Sequence, residues 1–146
     1  MTPRIYVIVL NYNGRQWLDP CLSALAAQAD APAFETLLVD NGSSDDSVPF
    51  VTERFPSVRI LGNGRNLGFA AGNNAGARAA RGDTLVFLNN DTIPAVNWLA
   101  RLHAAGQEGR LAPAAGAQLA VPGRSTTLNG KPVGEASGSV RTSSSP

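Results

Sequence analysis

Asn89-Asn90-Asp91 closes the apolar run Leu85-Val86-Phe87-Leu88. A carboxylate just beyond a buried strand is held rigidly at the rim of a sheet. Mg²⁺ and Mn²⁺ favour oxygen ligands, and proteins often give them one or two carboxylates while phosphates complete the shell. With a diphosphate nearby, Asp91 suits a divalent cation. It also precedes Thr92-Ile93-Pro94, a plausible helix start, so helix capping is the competing reading. Asp40 ends Thr36-Leu37-Leu38-Val39 in the same manner. It can accept a donor group of a base or ribose, or close an Asx-turn onto Gly42 or Ser43, and the two roles are compatible. Tyr12, between Asn11 and Asn13, stands where a ring can stack on a nucleobase or pack its own loop.

Gly62-Asn63-Gly64-Arg65-Asn66-Leu67-Gly68 is the setting of a phosphate loop, where backbone amides and a helix dipole favour an anion. Its G-x-G-x-x-x-G spacing is one residue longer than the dinucleotide fingerprint, which counts against a dinucleotide-dependent oxidoreductase. Arg65 can pair with a phosphate or stay solvated. With one histidine, His103, and one cysteine, Cys21, the chain offers no convincing Ser-His-Asp or Cys-His arrangement. His103 reads as solvated or structural, Cys21 as a core thiol, and Ser43 and Ser44 as turn and cap residues.

The elements that position these groups follow from hydrophobic periodicity. Arg4 to Leu10 reads as a strand buried on both faces. Gln16 to Ala27 reads as a helix with Trp17, Leu18, Cys21, Leu22 and Leu25 inward. Thr36 to Val39 is a second strand. Ser43 and Asp46 resemble a capping box with Asp in place of Glu or Gln. The helix they open runs to about Phe55, with Val48, Val51 and Phe55 inward, and Pro56 ends it. Val58 to Leu61 is a third strand. Phe69 to Ala80 is a helix whose Ala71, Ala75 and Ala79 form a flat, close-packing stripe. After an Arg81-Gly82-Asp83 turn, Thr84 to Leu88 is the fourth strand. Ala95 to about Ala105 is a last helix with Trp98, Leu99 and Leu102 inward, and Ala114 to Val121 is expected as a further strand. Strands alternating with helices predict an α/β, mostly parallel sheet with helices on both faces. Ligands bind at the carboxyl ends of such strands, which here carry every candidate group.

The 146 residues and 43% apolar content allow one domain with a real core. A formal charge of +1, with scattered arginines and Lys131 as the single lysine, gives no argument for nucleic acid. One cysteine excludes a disulfide framework within the chain and a cysteine-based zinc site. Ile5 to Leu10 is too short to cross a bilayer and no secretory signal is visible, so a cytoplasmic setting is expected. The aromatic residues all lie between Tyr6 and Trp98. Residues 1–105 are therefore read as the folded, ligand-binding unit. Residues 106–146 are read as a partial continuation and a low-complexity tail, disordered from Ser137 to Pro146.

Four segments together resemble family 2 glycosyltransferases of the GT-A fold, most of all the bacterial rhamnosyltransferase-type members. They are Val7-Ile8-Val9-Leu10-Asn11-Tyr12-Asn13-Gly14, Leu38-Val39-Asp40-Asn41-Gly42-Ser43-Ser44-Asp45, Asn66-Leu67-Gly68-Phe69-Ala70-Ala71-Gly72-Asn73-Asn74 and Leu88-Asn89-Asn90-Asp91-Thr92. The resemblance spans roughly residues 4 to 105. It implies a Rossmann-type sheet truncated after the Asp-x-Asp region, which binds the donor for an inverting, metal-assisted glycosyl transfer. Asn11, Tyr12, Asp40, Asn66, Gly68, Asn89, Asn90 and Asp91 would form the donor site. Tyr12 would stack on the pyrimidine, Asp40 would bond the base, Asn66 and Gly68 would line the wall, and Asn90 would lie near the ribose. Asp91 would hold Mg²⁺ or Mn²⁺. The implied partners are a UDP- or dTDP-sugar and a glycan or lipid-linked acceptor, with membrane contact only through that acceptor, at the inner face. Two departures stand out. Asn89 occupies the first acidic position of Asp-x-Asp. The family's catalytic base lies well beyond that motif, and the only acidic residues after Asp91 here are Glu108 and Glu135, neither in a convincing motif. A non-catalytic nucleotide-sugar-binding module of the same fold is the alternative.

Overall fold

Alternation along Ile5–Asn11, the first strand β1, sends Ile5, Val7 and Val9 to one face of the sheet and Tyr6 and Ile8 to the other. All five are buried, so this strand must lie centrally with both faces covered. The computed structural model places it there. It describes residues 5–82, 84–107, 119–120, 126–128 and 131–133, with side chains up to residue 106.

After β1 come α1 (Arg15–Ala26), β2 (Phe34–Asp40), α2 (Ser47–Arg54), β3 (Arg59–Gly62), α3 (Phe69–Ala79), β4 (Thr84–Asn89) and α4 (Trp98–Gln107). Three short strands follow: β5 (Leu119–Ala120), β6 (Thr126–Leu128) and β7 (Lys131–Val133). The sheet order is β3-β2-β1-β4-β5. β1 to β4 are parallel, β5 pairs antiparallel with β4, and β6 and β7 form a separate two-stranded sheet. The expected mostly parallel α/β sheet is present. β5 falls inside the strand expected at Ala114 to Val121, most of which lies outside the described residues, as do Asp83 of the expected turn and the tail from residue 134.

One face is packed by Leu18, Cys21, Leu22 and Leu25 of α1, Val51 of α2 and Trp98, Leu99 and Leu102 of α4. α3 covers the other, over Tyr6, Ile8, Leu37, Val39, Leu85 and Phe87. Four expectations are corrected here. Trp17 is 48% exposed, because the inward stripe of α1 passes through Leu18, one residue round the helix. Val48 is only half-buried. The face that α3 turns to the sheet is Gly72, Asn73, Gly76 and Ala77, while Ala71 is exposed. A Cβ at Gly76 would stand 2.7 Å from Val39 Cγ2, so the glycines are what permit the approach. The capping box does not form. Ser43 Oγ bonds the Asp40 carboxylate at 2.7 Å, and the first α2 amide, Ser47 N, is met by Asp45 Oδ1 at 3.0 Å.

The last helix begins at Trp98, three residues later than expected. The Gln28 side chain fixes that start, donating to Ala95 O at 2.7 Å and accepting from Leu99 N at 2.9 Å. Among the described residues no helix is long and apolar enough to cross a membrane.

Candidate functional site

Register brings the polar strand ends into one row. Asn11 lies beside Asp40, Asp40 beside Gly62, and Asn89 beside Leu10. The chain steps from β1 outward to β2 and β3, then returns to add β4 on the other side of β1. Open parallel sheets bind ligands at such a reversal, in the crevice outside the carboxyl ends of the strands, here those of β1 and β4. The residues at that rim are Asn11 to Gly14 and Asn89 to Asp91.

Asn11 is fully buried at the floor of the crevice. Its Nδ2 donates to Asp40 Oδ1 at 3.1 Å and Ser43 Oγ at 3.2 Å, and its Oδ1 accepts from Asn90 Nδ2 at 2.9 Å. One amide therefore ties the ends of three strands together. Gly14 completes the joint, since any Cβ there would collide with the Asn90 and Asn11 amides. Asp40 is 4% exposed and already receives Asn11 Nδ2 and Ser43 Oγ on Oδ1 and Ser43 N on Oδ2, at 2.9 Å. The Asx-turn reading is thus realised, onto Ser43, and Oδ2, which receives one bond, keeps acceptor capacity.

Beside this hub, Asn13 takes a left-handed backbone, φ +50°, and its Oδ1 accepts from Ser44 N at 2.7 Å and Asp45 N at 3.2 Å. Asp45 Oδ2 accepts from Arg15 N at 3.1 Å. Desolvation alone would raise the Asp45 carboxyl, but hydrogen bonds from Ser47 and Arg15, with the Arg15 charge, hold it below the usual carboxylate range.

A second buried asparagine serves the glycine-rich loop. Asn41 accepts from Asn63 Nδ2 at 2.9 Å and donates to Gly68 O at 3.1 Å. Gly42, at φ +79°, lets the Arg65 backbone pass within a Cβ's reach. Asn66 Oδ1 accepts from Gly68 N at 2.8 Å. One of the amides expected to face an anion is therefore already taken, and Asn66 and Gly68 act as a pair. Arg65 is exposed.

Tyr12 is 51% exposed, its ring open at the rim. Asn89 and Asn90 are half-buried, and Thr92 Oγ1 folds back on Asn89 O at 2.7 Å. Asp91 is exposed and pairs with no described side chain. It does not cap a helix, since α4 starts well beyond it. Among the described residues no group of three or more His, Cys, Asp or Glu side chains could enclose a metal. A single carboxylate fits Mg²⁺ or Mn²⁺ only where phosphate oxygens complete the shell. Cys21, below this loop, is no nucleophile: burial pushes its thiol up to about 11.

The structure thus gathers Asn11, Tyr12, Asp40, Asn89, Asn90 and Asp91 around one crevice, with Asn66 and Gly68 on the neighbouring loop. His103 is half-buried on α4, apart from this set, its Nδ1 without a hydrogen-bond partner among the described residues. Glu108 and Glu135 lie outside the described residues. Sequence reasoning missed the connecting roles of Asn13, Asn41 and Ser43. The available signal was the asparagine and serine around the strand ends, at Asn11 and Asn13, at Asn41 and Ser43, and at Asn89 and Asn90.

The model of glycosyl transferase family 2 matches residues 6–130. The chain belongs to that family. It is 31% identical over 103 residues to glycosyltransferase AglE of Haloferax volcanii, covering 68% of this chain and 34% of that protein. It is 35% identical over 69 residues to the N-acetylglucosaminyl-diphospho-decaprenol L-rhamnosyltransferase of Mycobacterium tuberculosis, covering 47% of this chain and 22% of that one. The fold matches TarS of S. aureus in complex with UDP-GlcNAc, with a TM-score of 0.64 and 26% identity over 74% of this chain and 32% of that one. It also matches the mannosyltransferase PcManGT of Pyrobaculum calidifontis in complex with GDP-Man and Mn²⁺, with a TM-score of 0.61 and 28% identity over 70% of this chain and 32% of that one. The fold is therefore that of GT-A glycosyltransferases. The chain spans about a third of these proteins' length or less.

Proposed function

We propose that the carboxyl rim of this sheet binds a nucleoside-diphosphate sugar, a UDP- or dTDP-sugar, and that the protein transfers its glycosyl group with inversion to a hydroxyl of a glycan or lipid-linked acceptor. The observation that carries the reading is the polar rim at the carboxyl ends of β1, β2 and β4, with an exposed ring at Tyr12, an acceptor at Asp40 and, at Asp91, an exposed carboxylate that pairs with no described side chain. Tyr12 stacks on the base, and Asp40 Oδ2 accepts from it. Asn66 and Gly68 form the wall, and Asn89 and Asn90 lie along the ribose and diphosphate. Asp91 holds Mg²⁺ or Mn²⁺ together with the phosphates. Once bound, the metal neutralises charge that develops on the departing diphosphate. The inverting step also needs a base for the acceptor proton, a role given to no residue of the rim. The complexes of TarS with UDP-GlcNAc and of PcManGT with GDP-Man and Mn²⁺ support the donor and metal assignments. The diphospho-decaprenol named for the mycobacterial relative supports a lipid-linked acceptor.

Thermal unfolding with UDP and dTDP, each with Mn²⁺ or EDTA, tests the reading. A ligand at 100 times its dissociation constant adds about 2.7 kcal/mol, which for a chain of this size raises Tm by roughly 5–10 °C. Asp91→Ala is expected to lose the Mn²⁺-dependent part. No shift with either nucleotide would sink the donor site, and an undiminished Mn²⁺ effect in Asp91→Ala would sink the metal role.

A further inference from the structure

Asn11 stands apart from the other rim residues because it is fully buried and none of its amide faces the crevice. Both ends of the amide are nevertheless engaged in the same small volume. Nδ2 holds Asp40 and Ser43, and Oδ1 holds Asn90, the neighbour of Asp91. No hydrogen bond joins Asn90 directly to Asp40 or Ser43 among the described residues, so beyond the backbone ladders of β1 with β2 and β4 the Asn11 amide is the side-chain link between the two sides. Its orientation is also fixed. An amide turned end for end would set its carbonyl against Asp40 Oδ1 and its NH₂ against the NH₂ of Asn90.

We propose that Asn11 is a positioning residue that couples the two halves of the site. It sets the Asp40–Ser43 turn, where the base is read, and the Asn90–Asp91 turn, where the cation is held, in one fixed relation. The inference rests on the donor-site reading above and adds to it a coupling carried by the protein itself. A diphosphate and its metal meet at the correct separation only while this amide joins the two turns. Ser43 takes part from the far side, since its Oγ accepts from Asn11 Nδ2 and from Asn13 N at 2.8 Å and donates to Asp40.

The test uses the full chain and the dissociation constant of UDP, measured by calorimetry in Mn²⁺ and in EDTA. The ratio of the two constants is the metal increment. Partial unfolding divides both constants by the same competent fraction and cancels from the ratio, so loss of fold alone cannot move it. Asn11→Ala is expected to reduce the ratio by roughly five-fold, the worth of one or two neutral hydrogen bonds. Ser43→Ala, which leaves Asn11 in place, is expected to reduce it by a smaller factor, about two-fold. A ratio equal to wild type in both variants, at any absolute affinity, overturns the coupling and leaves the donor site standing. If wild type binds no UDP, or binds it equally in Mn²⁺ and EDTA, the donor or metal reading fails and the coupling fails with it.

Discussion

The two faces of the sheet are filled by opposite means. On one, α1, α2 and α4 press Leu18, Leu22, Leu25, Val51, Trp98 and Leu99 onto Val7, Val9, Val86 and Leu88. On the other, α3 presents Gly72, Gly76 and Ala77 to Ile8, Leu10 and Val39. The first face is held by the volume of side chains brought to it, the second by their absence. Interiors pack at crystal-like density in both cases. A close helix thus substitutes backbone for side chain, and it brings the start of α3 and its glycine-rich loop near the strand ends. The Asn41 contact to Gly68 O becomes available through that approach.

The difference predicts opposite sensitivities. Removing volume should harm the three-helix face most. Leu18 has no exposed surface, and Leu18→Ala is expected to cost about 3 kcal/mol through lost transfer energy and a residual cavity. Urea unfolding would show it as a lower midpoint at unchanged slope. A loss under about 1 kcal/mol would mean that α1 can settle into the space, and the face would not be the rigid one. On the α3 face the harmful change is an addition. Gly76→Ala gains about 1 kcal/mol of helix propensity, yet its methyl must displace Val39 Cγ2 at 2.7 Å and Ile8 Cγ2 at 2.9 Å. Overpacking of this kind typically costs 1–3 kcal/mol, so a net loss of about 1 kcal/mol is expected in the same urea experiment. A net gain would show α3 able to lift off the sheet without cost and would remove the contrast between the faces.

The same contrast decides what the sequence revealed. Leu18, Cys21, Leu22 and Leu25 announce themselves by apolar spacing, and all four are buried as expected. On α3 the periodicity is between alanine and glycine, residues that hydrophobicity barely separates; of the expected stripe Ala71 is exposed, Ala75 half-buried and Ala79 packed against the core, while Gly72, Gly76 and Ala77 make the closer approach. Only distances to Ile8, Leu10, Val39 and Asn41 distinguish them. At the rim, Asp40 and Asp91 were legible because a carboxylate after a buried strand is unusual. Asn11 looked like a donor contact from its place in the chain. Its burial and its three partners arise from the register of β1 with β2 and β4, a long-range fact that local pattern does not carry. Gln28 is legible for neither role, because it caps a helix 71 residues along the chain.

The three-helix face has one further dependence that α3 lacks, and it is the smallest effect. Asp45 joins the starts of α1 and α2, accepting from Arg15 N with one oxygen and from Ser47 N with the other. Among the described residues no side chain accepts from the first amides of α3 in this way. Because the folded protein holds Asp45 below the usual carboxylate range, its contribution is present above the unfolded pKa of about 3.9 and disappears as pH falls through the lower folded value. Asp45→Asn is therefore expected to lower stability by under about 1 kcal/mol at pH 7, and the gap from wild type should close as the pH drops below about 4. Thermal unfolding of both proteins between pH 7 and pH 3 reads this directly. A gap that stays constant across that range would mean that the asparagine loses packing alone, and that the negative charge between the two helix starts contributes nothing to holding them.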